Sequence, residues 1–534
     1  MASTYSKEEL NQCSKEVLID LFLSMQEQMN QMNHNLKLLT EQIAIANQKR
    51  FGRSSEKLDF DGQLSLNGCF NEAEVTADSD ASTVEPELEE ICPHSYKRHK
   101  KKGKREEDLK GIETKEISHE LSDEQLTTLF GKNGWKRLPD EVYKRLTFHP
   151  ATFLVEEHHV AVYAGKDNQS IIKADRPKDL LRNSIVTSSL EAAVMNAKYV
   201  NAIPLYRLEQ EFARNDVHLS RQVMANWTIL CAERYLSLLW DLLHTELYKC
   251  PVIQADETPV LVSKDGRKAG SKSYMWVYRT GKMYDAPPIV LYEYQKTRNA
   301  SHPREFLREY KGTCVTDGYQ VYHTLENERE DLKIAGCWSH SRRKYADVVK
   351  ALGKDKAKDT LAWQALKQIG AIYKIEDELA KLSPEERLSR RQLSVKPLVE
   401  AFFAWIRENR EKVPPKSETG KGFTYCLNQE KYLKVFLTDG RVPADNNAAE
   451  QAIRGFCVGK ANWHLIDTVH GAKASAIIYS IAETAKANNL KPYNYFEYLL
   501  SEIPKHQDDT NLDFMKGLLP WSDLLPDECR KPMK

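Results

Sequence analysis

The sequence contains no Cys-x-x-Cys pair, although it has ten cysteines. Cysteine pairs at short spacing are the usual ligands of structural zinc sites, and secreted disulfide scaffolds also depend on a regular cysteine framework. The scattered cysteines therefore argue against both a zinc ribbon and a disulfide-rich fold. They are typical of a protein that works in a reducing cytosol.

Long apolar runs are also missing. No stretch reaches the roughly 18 consecutive apolar residues that a membrane-spanning helix needs, and the N-terminus lacks the basic-then-apolar pattern of a secretion signal. We therefore expect a cytoplasmic protein that neither spans nor anchors to a membrane.

The sequence also has no excess of positive or negative side chains, because Lys+Arg and Asp+Glu both total 77. Net charge consequently says nothing about a nucleic-acid partner, and only the distribution of charge can. The length of 534 residues exceeds the roughly 250–300 residues at which single cores stop growing, which predicts several domains.

A heptad pattern occupies residues 1–50. Apolar residues recur at alternating spacings of four and three, and this predicts a coiled coil that joins subunits, because a strict seven-residue repeat needs a partner helix to bury it. The alternative is an amphipathic helix docked on its own protein. The pattern consists of Leu18, Phe22, Met25, Met29, Met32, Leu36, Leu39 and Ile43.

Residues 51–110 are predicted to be a linker with two oppositely charged parts. Residues 71–90 contain eight acids and no Lys or Arg, a composition typical of disorder. The basic run that follows is either a solvated tail or a set of DNA phosphate contacts, since clustered cations bind DNA by releasing counterions. It contains Lys97, Arg98, Lys100, Lys101, Lys102, Lys104 and Arg105.

Residues 111–183 alternate apolar and polar side chains over 143–148 and 152–163, which predicts strands in a small α+β module. Cys92-Pro-His-Ser precedes this module and His158-His159 lies within it. A zinc site needs more ligands at paired spacing. We therefore interpret these residues as surface residues and expect no zinc here.

Residues 184–250 are predicted to be helical. A helix over 206–213, a polar turn, and a helix over 221–235 capped by Ser220 resemble a helix-turn-helix. In that case Arg221 and Gln222, at the start of the second helix, would contact DNA. A plain helical hairpin is the alternative.

The stretch 252–262 is predicted to be a buried strand, yet Asp256 and Glu257 lie in its middle. Burying a carboxylate is costly unless it is paired, hydrogen-bonded or bound to a metal. Because side chains alternate across a strand, only one of the two acids can face a given site.

The order of elements over 251–343 is βββαβαβ, the plan of a ribonuclease-H-like mixed sheet, with Asp317 at the end of the fourth strand. In that plan the first and fourth strands are neighbours, so Asp256 and Asp317 approach each other. Two such carboxylates repel unless divalent cations lie between them. Oxygen ligands suit two Mg²⁺ or Mn²⁺ ions, which catalyse phosphodiester displacement.

A third acid is predicted after a helical insertion over 344–436. Within 437–500, Asn447 is expected to cap a helix whose first turn carries Glu450. Arg454 lies one turn further on the same face, where it would contact a DNA phosphate. Glu450 is either the last metal ligand or a capping-box acid. Residues 501–534 are predicted to form a C-terminal tail.

The chain resembles transposases of the insertion sequence 66 family. The resemblance rests on motifs in a fixed order along nearly the whole chain. They are Gly52-Arg-Ser-Ser-Glu-Lys57, Gln-Ala-Asp256-Glu-Thr-Pro, Thr-Asp317-Gly-Tyr, Cys337-Trp-Ser-His340-Ser-Arg342-Arg343, Asp445-Asn-Asn-Ala-Ala-Glu450-Gln-Ala-Ile-Arg454 and Gly471-Ala-Lys-Ala-Ser-Ala.

The resemblance implies cleavage and joining of double-stranded DNA at the ends of a mobile element, with Asp256, Asp317 and Glu450 as an Asp-Asp-Glu triad that holds two Mg²⁺ ions. It places the protein at the bacterial nucleoid and suggests companion proteins of the same element. A rim formed by His340, Arg342 and Arg343 would contact DNA, or form a structural ion pair. A nuclease or resolvase without strand transfer, and an inactive DNA-binding remnant, are the alternatives.

Two departures from the family pattern stand out. Only Cys92-Pro-His-Ser remains of the cysteine-rich module that family members commonly carry, so zinc binding there is not expected. Where the family usually has Arg-Lys-Asn-Trp, this chain has Gly459-Lys460-Ala-Asn-Trp463, which leaves Lys460 as the one cation for DNA. Neither departure touches the three acids.

Overall fold

The computed structural model describes residues 14–51, 128, 152–164, 171–173 and 178–532. The chain divides into two compact units, one of Met1–Thr83 with Leu180–Arg530 and one of Val84–Asp179 with Lys531–Lys534. The basic run, Cys92 and the strand predicted over 143–148 lie outside the described residues. Among the described residues, no helix is both long and apolar enough to cross a membrane.

The described part of the smaller unit contains one short antiparallel pair, β1 (Val162–Ala164) and β2 (Ile171–Lys173). The strand predicted over 152–163 is therefore wrong for most of its length, because residues 152–161 have no regular secondary structure and are largely exposed. Alternation alone does not supply the partner strand that backbone hydrogen bonding needs. His158 and His159 are exposed and lie beside Glu156 and Glu157, which confirms their interpretation as surface residues.

The larger unit begins with helix α1 (Lys15–Phe51). The helix predicted from the heptads is confirmed, and all eight heptad residues are exposed, by 38% at Leu18 to 65% at Met25. Among the α1 side chains that the structure describes, only Ile45, near the end of the helix, belongs to a core of this unit.

Four α-helices lie between residue 178 and the first strand of the sheet. Helices α3 and α4 pack through Leu208, Phe212 and Met224, and the Ser220 hydroxyl accepts a hydrogen bond from the Val223 N–H, as predicted for a cap. Helix α4 ends as an α-helix at Cys231 and continues as a π-turn to Leu236. The bounds are α2 (Ser188–Met195, followed by a π-turn Asn196–Val200), α3 (Leu205–Arg214), α4 (Arg221–Cys231) and α5 (Ser237–Leu247).

A mixed sheet follows, with the strand order β5-β4-β3-β6-β7 and β8 paired to the far end of β3. The first three strands are antiparallel, while β3, β6 and β7 run parallel. The predicted adjacency of the first and fourth strands is thereby confirmed. The bounds are β3 (Val252–Lys264), β4 (Lys272–Thr280), β5 (Val290–Gln295), α6 (Ser301–Phe306), β6 (Gly312–Val315), α7 (Gln320–Glu328), β7 (Leu332–Ala335) and β8 (Ile466–Thr468).

Helices after β7 build a second core around Trp338, Phe402 and Phe403. Residues 344–436 are largely helical, as predicted. The bounds are α8 (Trp338–Leu352), α9 (Lys354–Ala357), α10 (Leu361–Leu379), α11 (Pro384–Arg390), α12 (Lys396–Asn409), α13 (Glu418–Leu433), α14 (Asn447–Trp463), α15 (Val469–Ala487) and α16 (Pro492–Glu502).

Helix α15 covers the outer edge of β5. The Ser480 hydroxyl accepts the Tyr292 N–H at 2.7 Å, and the Thr484 hydroxyl accepts the Val290 N–H at 3.0 Å. These side chains replace the strand that would otherwise satisfy the backbone of an edge strand.

Two buried arginines hold the segment that leads from α13 to α14. Arg391 pairs with Glu376 at 2.6 Å and donates to the backbone carbonyls of Phe436 and Val442. Arg387 donates to the carbonyl of Gly440 at 2.7 Å. Gly440 has no room for a side chain, because a Cβ would overlap the carbonyl of Pro384.

Candidate active site

The register of the sheet brings Asp256 and Asp317 together. Strands β3 and β6 pair in parallel, Val252 with Thr313 and Gln254 with Val315, so each partner lies 61 positions further along the chain. The same offset places Asp317 level with Asp256, two residues beyond the paired stretch. Neighbouring strands lie about 4.8 Å apart, so the two acids are adjacent.

Local turn geometry fixes Asp317. Its Oδ1 accepts the Tyr319 N–H at 2.9 Å, and the Tyr425 hydroxyl donates to its backbone carbonyl at 2.9 Å. Gly318 follows with φ of 91°, a left-handed conformation that favours glycine. The chain can therefore turn sharply at the end of β6 while the carboxylate stays at the sheet edge.

Two side-chain hydrogen bonds hold the start of α14 against β3. The Asn446 side chain donates to the carbonyl of Ala255 at 2.8 Å, and the Gln254 side chain donates to the carbonyl of Asp445 at 3.1 Å. Because Gln254 and Ala255 directly precede Asp256 on β3, these bonds bring the first turn of α14, and Glu450 with it, to the acid pair.

The predicted cap of this helix is wrong by one residue. Asn446, not Asn447, occupies the cap position, and its side chain caps no N–H within the described chain. It bonds to β3 instead, which is the physical reason for the shift. The capping-box interpretation of Glu450 is therefore wrong as well.

The electrostatics of the site are those of crowded, buried acids. Burial is the main cause that holds the pKa of the Asp256 carboxyl well above its usual range. The negative charges of Glu257, Asp317 and Glu450 raise that pKa further. A divalent cation would relieve the same repulsion.

Glu257 points into the interior, with 1% of its side chain exposed, and is joined to the site by Arg298. The Arg298 Nε donates to Glu257 at 2.7 Å, and its Nη2 lies 3.9 Å from Asp317. The guanidinium also stacks on the Tyr319 ring, 3.7 Å from its centroid. Burial raises the pKa of Glu257 to about 7, and the charge of Asp317 adds to this while Arg298 opposes it.

Sequence reasoning missed Arg298, and no signal in the sequence marks it. It stands in a loop three residues after β5 ends, in a Lys-Thr-Arg-Asn stretch that resembles any polar turn. Its role depends on the pairing of β3 with β6, which brings both acids to it.

Glu450 lies among two arginines and a histidine. Arg343 lies 3.0 Å from its Oε2 and Arg454 lies 4.0 Å from the same oxygen. His340 Nδ1 lies 3.5 Å from the other oxygen, Oε1. Burial lowers the pKa of His340, although the charge of Glu450 opposes that shift. Arg342, by contrast, is half-buried, and burial lowers its pKa while the nearby Tyr373 opposes the shift.

Three other residues predicted to contact DNA lie away from the acids, while the basic run lies outside the described residues. The Lys460 ammonium donates to the carbonyl of Pro259 at 2.9 Å, and so ties α14 to β3. Arg221 and Gln222 are exposed at the start of α4, where Arg221 lies over the Tyr206 ring at 5.4 Å. The structure thus brings His340, Arg343 and Arg454 to the acids, but not these three residues.

The donor set of the acid cluster fits a hard divalent cation. Asp256, Asp317 and Glu450 offer only carboxylate oxygens, the ligands that Mg²⁺ and Mn²⁺ prefer. Glu450 Oε1 is buried and has no hydrogen-bond partner among the described residues. A buried oxygen left unpaired in this way is available as a ligand.

Comparison with protein families gives three matches. The family described as "Transposase IS66 family" matches residues 183–474, which is more than half of the chain. The "IS66 C-terminal element" matches residues 480–521, and "Transposase C of IS166 homeodomain" matches residues 38–114.

Similar proteins occur in Sinorhizobium fredii (strain NBRC 101917 / NGR234). The uncharacterized protein y4qI is 27% identical over 388 residues, covering 71% of this chain and 70% of its own length. The uncharacterized protein y4jD is 27% identical over 395 residues, covering 72% of this chain and 76% of its own.

Proposed function

Because the chain belongs to the IS66 family of transposases, we propose that it cleaves DNA at the ends of a mobile insertion element and joins those ends to target DNA. The observation that carries this proposal is the convergence of Asp256, Asp317 and Glu450. The shared register of β3 and β6 supports the first pair. The hydrogen bonds from Asn446 and Gln254 support the approach of the third.

We propose that the catalytic core is ribonuclease-H-like. The strand order β5-β4-β3-β6-β7 supports this, with three antiparallel strands followed by two parallel ones. Asp256 then lies within the first strand of that plan, Asp317 two residues beyond the end of β6, and Glu450 on a helix that follows β7.

Two Mg²⁺ or Mn²⁺ ions held by Asp256, Asp317 and Glu450 would activate the attacking hydroxyl and stabilise the leaving oxygen of a phosphodiester. The surrounding side chains hold the acids in place. Arg298 lies 3.9 Å from the carboxylate of Asp317 and balances part of its charge. Arg343 binds one oxygen of Glu450 and leaves the other free.

DNA contacts are proposed at the rim of the site and at two further places. Arg343, with 43% of its side chain exposed, can contact a phosphate beside Glu450. The exposed Arg221 and Gln222 at the start of α4 are a second candidate. The basic run over 97–105 overlaps the homeodomain match, which supports a DNA-binding role for that region.

The eight exposed heptad residues form a seam along α1. We propose that this seam pairs subunits as a coiled coil, so that the two ends of the mobile element are held together. The exposure of all eight heptad residues supports pairing over docking on the same chain. Companion proteins of the same element remain a proposal that rests on the family alone.

The test uses purified full-length protein, labelled element-end DNA and Mg²⁺. We expect Asp256→Asn, Asp317→Asn and Glu450→Gln each to abolish cleavage and to weaken Mn²⁺ binding measured by calorimetry. A matched control is Glu293→Gln, because Glu293 is also a buried acid of the sheet, on β5. It should cleave at the wild-type rate.

Each alternative predicts its own result. Cleavage that persists in any of the three variants contradicts the triad. Cleavage without joining to target DNA favours a nuclease or resolvase. DNA binding without any cleavage by the wild-type protein indicates an inactive remnant.

A further inference from the structure

A second set of ligands lies beside the acid cluster. Cys337 Sγ, a ring nitrogen of His340 and a carboxylate oxygen of Glu450 all lie within 4.8 Å of one another. A thiolate, an imidazole and a carboxylate are the ligands that zinc prefers, with water as the fourth ligand in an open site. The first two stand three residues apart at the start of α8, while the third comes from the first turn of α14.

Two of these groups have atoms available to a ligand. His340 Nδ1 and Glu450 Oε1 are buried, lie 3.5 Å apart, and have no hydrogen-bond partner among the described residues. Leaving buried polar atoms unpaired costs free energy. The other oxygen of Glu450 is bound by Arg343 at 3.0 Å, so Oε1 can take a cation while Oε2 keeps its arginine.

The Cys337 thiol needs a bound cation to become a thiolate, because burial raises its pKa and the charges of Asp445 and Glu450 add to that shift. It is fully buried at the cap position of α8, and its Sγ accepts the Asn446 N–H at 3.1 Å and the N–H of His340. Backbone N–H groups at a helix start favour an anion. One thiolate and one carboxylate would balance the two charges of a zinc ion.

We propose that Cys337, His340 and Glu450 bind one zinc ion, and that this site competes with the Mg²⁺ site for Glu450. Zinc bound here withdraws the third acid from the Mg²⁺ ions and so inhibits DNA cleavage. The zinc site itself rests on the geometry alone, whereas the inhibition rests on the proposed function.

Cobalt binding tests the site directly, because Co²⁺ replaces Zn²⁺ and gives a thiolate charge-transfer band that needs a cysteine ligand. We expect one equivalent of Co²⁺ to produce this band in metal-stripped full-length protein, and one equivalent of Zn²⁺ to remove it. Cys337→Ser should lose the band, and His340→Gln should weaken binding at least about 100-fold.

Cys231→Ser is the matched control, since Cys231 is equally buried but lies on α4. It should keep the band. Because Cys337→Ser removes a buried group and can impair folding, His340→Gln provides the independent test. The absence of the band in wild-type protein, or its persistence in Cys337→Ser, would overturn the zinc site.

The inhibition is measured as cleavage rate against Zn²⁺ concentration at fixed Mg²⁺. Wild-type protein should be inhibited, with more Zn²⁺ needed as Mg²⁺ is raised. His340→Gln, compared with its own zinc-free rate, should need at least tenfold more Zn²⁺. Zinc binding without inhibition overturns the competition. A cobalt band in a protein that never cleaves DNA supports the site and overturns the proposed function.

Discussion

Single residues around the acids show why part of the site could be predicted from sequence. Asp256 is conspicuous because a carboxylate within an apolar strand demands an explanation. Arg298 and Cys337 are not, because an arginine in a loop and a cysteine before a helix are ordinary. Their contacts with Glu257 and Glu450 arise only when distant elements meet, so local pattern carries no information about them.

Arg298→Met tests the balance of charge around the site. The substitution leaves Glu257 buried without its cation, which for a fully buried pair costs about 3–5 kcal/mol. Arg298 is 37% exposed, and solvent screening reduces that cost to about 2–3 kcal/mol. Urea unfolding of the metal-free protein measures the difference.

The double variant Glu257→Gln/Arg298→Met supplies the control for that measurement. It should regain most of the lost stability, because no buried charge is left unpaired. Arg308→Met, which removes an exposed ion pair with Glu305, should change stability by less than about 0.5 kcal/mol. Equal losses in the single and double variants would contradict the pairing.

Which secondary-structure elements lie next to each other was partly predictable from the sequence. The adjacency of β3 and β6 follows from the order of strands, so the meeting of Asp256 and Asp317 was predictable from the sequence. The residues at which helices begin and end were not predictable. The helix predicted over 221–235 changes to a π-turn at Ala232, and the start of α14 shifts because Asn446 bonds to β3. Both depend on tertiary contacts.

The contact between α2 and α4 contains a buried acid, which gives a pH dependence. The Thr228 hydroxyl donates to Glu191 at 2.8 Å. Burial raises the pKa of Glu191 to about 8, opposed by the Thr228 hydrogen bond and the charge of Lys198. The folded protein therefore keeps this proton at pH values where the unfolded chain has lost it. The resulting destabilisation is absent below about pH 4 and grows until pH passes 8.

Glu191→Gln should remove that pH-dependent loss. We expect the variant to lie close to wild type at pH 4.5 and to be more stable by about 4–5 kcal/mol at pH 8.5, since one pKa unit corresponds to about 1.4 kcal/mol. Denaturant unfolding at both pH values measures this. Glu211→Gln, an exposed acid on α3, should differ from wild type at neither pH. Equal effects of both substitutions would contradict the role of burial.

The segment that carries the chain into α14 depends on Arg391. Lysine at this position cannot reproduce the paired contact with Glu376 together with the bonds to the carbonyls of Phe436 and Val442. We expect Arg391→Lys to destabilise the protein by about 2–4 kcal/mol. Thermal and urea unfolding test this, with the exposed Arg390→Lys as the matched control. A loss below about 0.5 kcal/mol would show that the segment is held by other contacts.

The whole molecule is expected to be a dimer or larger assembly through α1. Met29→Glu with Leu36→Glu places charges in the exposed seam, where a partner helix would have to bury them. Light scattering should show the monomer mass for this variant and a multiple of it for wild type. Gln28→Glu with Asn35→Glu adds the same charge beside the seam and should keep the wild-type mass. A monomeric wild-type protein would contradict the coiled coil.

The covering of β5 by α15 has a consequence for incomplete chains. Ser480 and Thr484 lie more than two hundred residues after the start of the sheet, so a translation product that stops before them has every strand of the sheet but an open edge. Such a product can join edges with another copy and aggregate. An interruption of the coding sequence near its 3′ end is therefore expected to yield insoluble protein instead of a shorter folded chain.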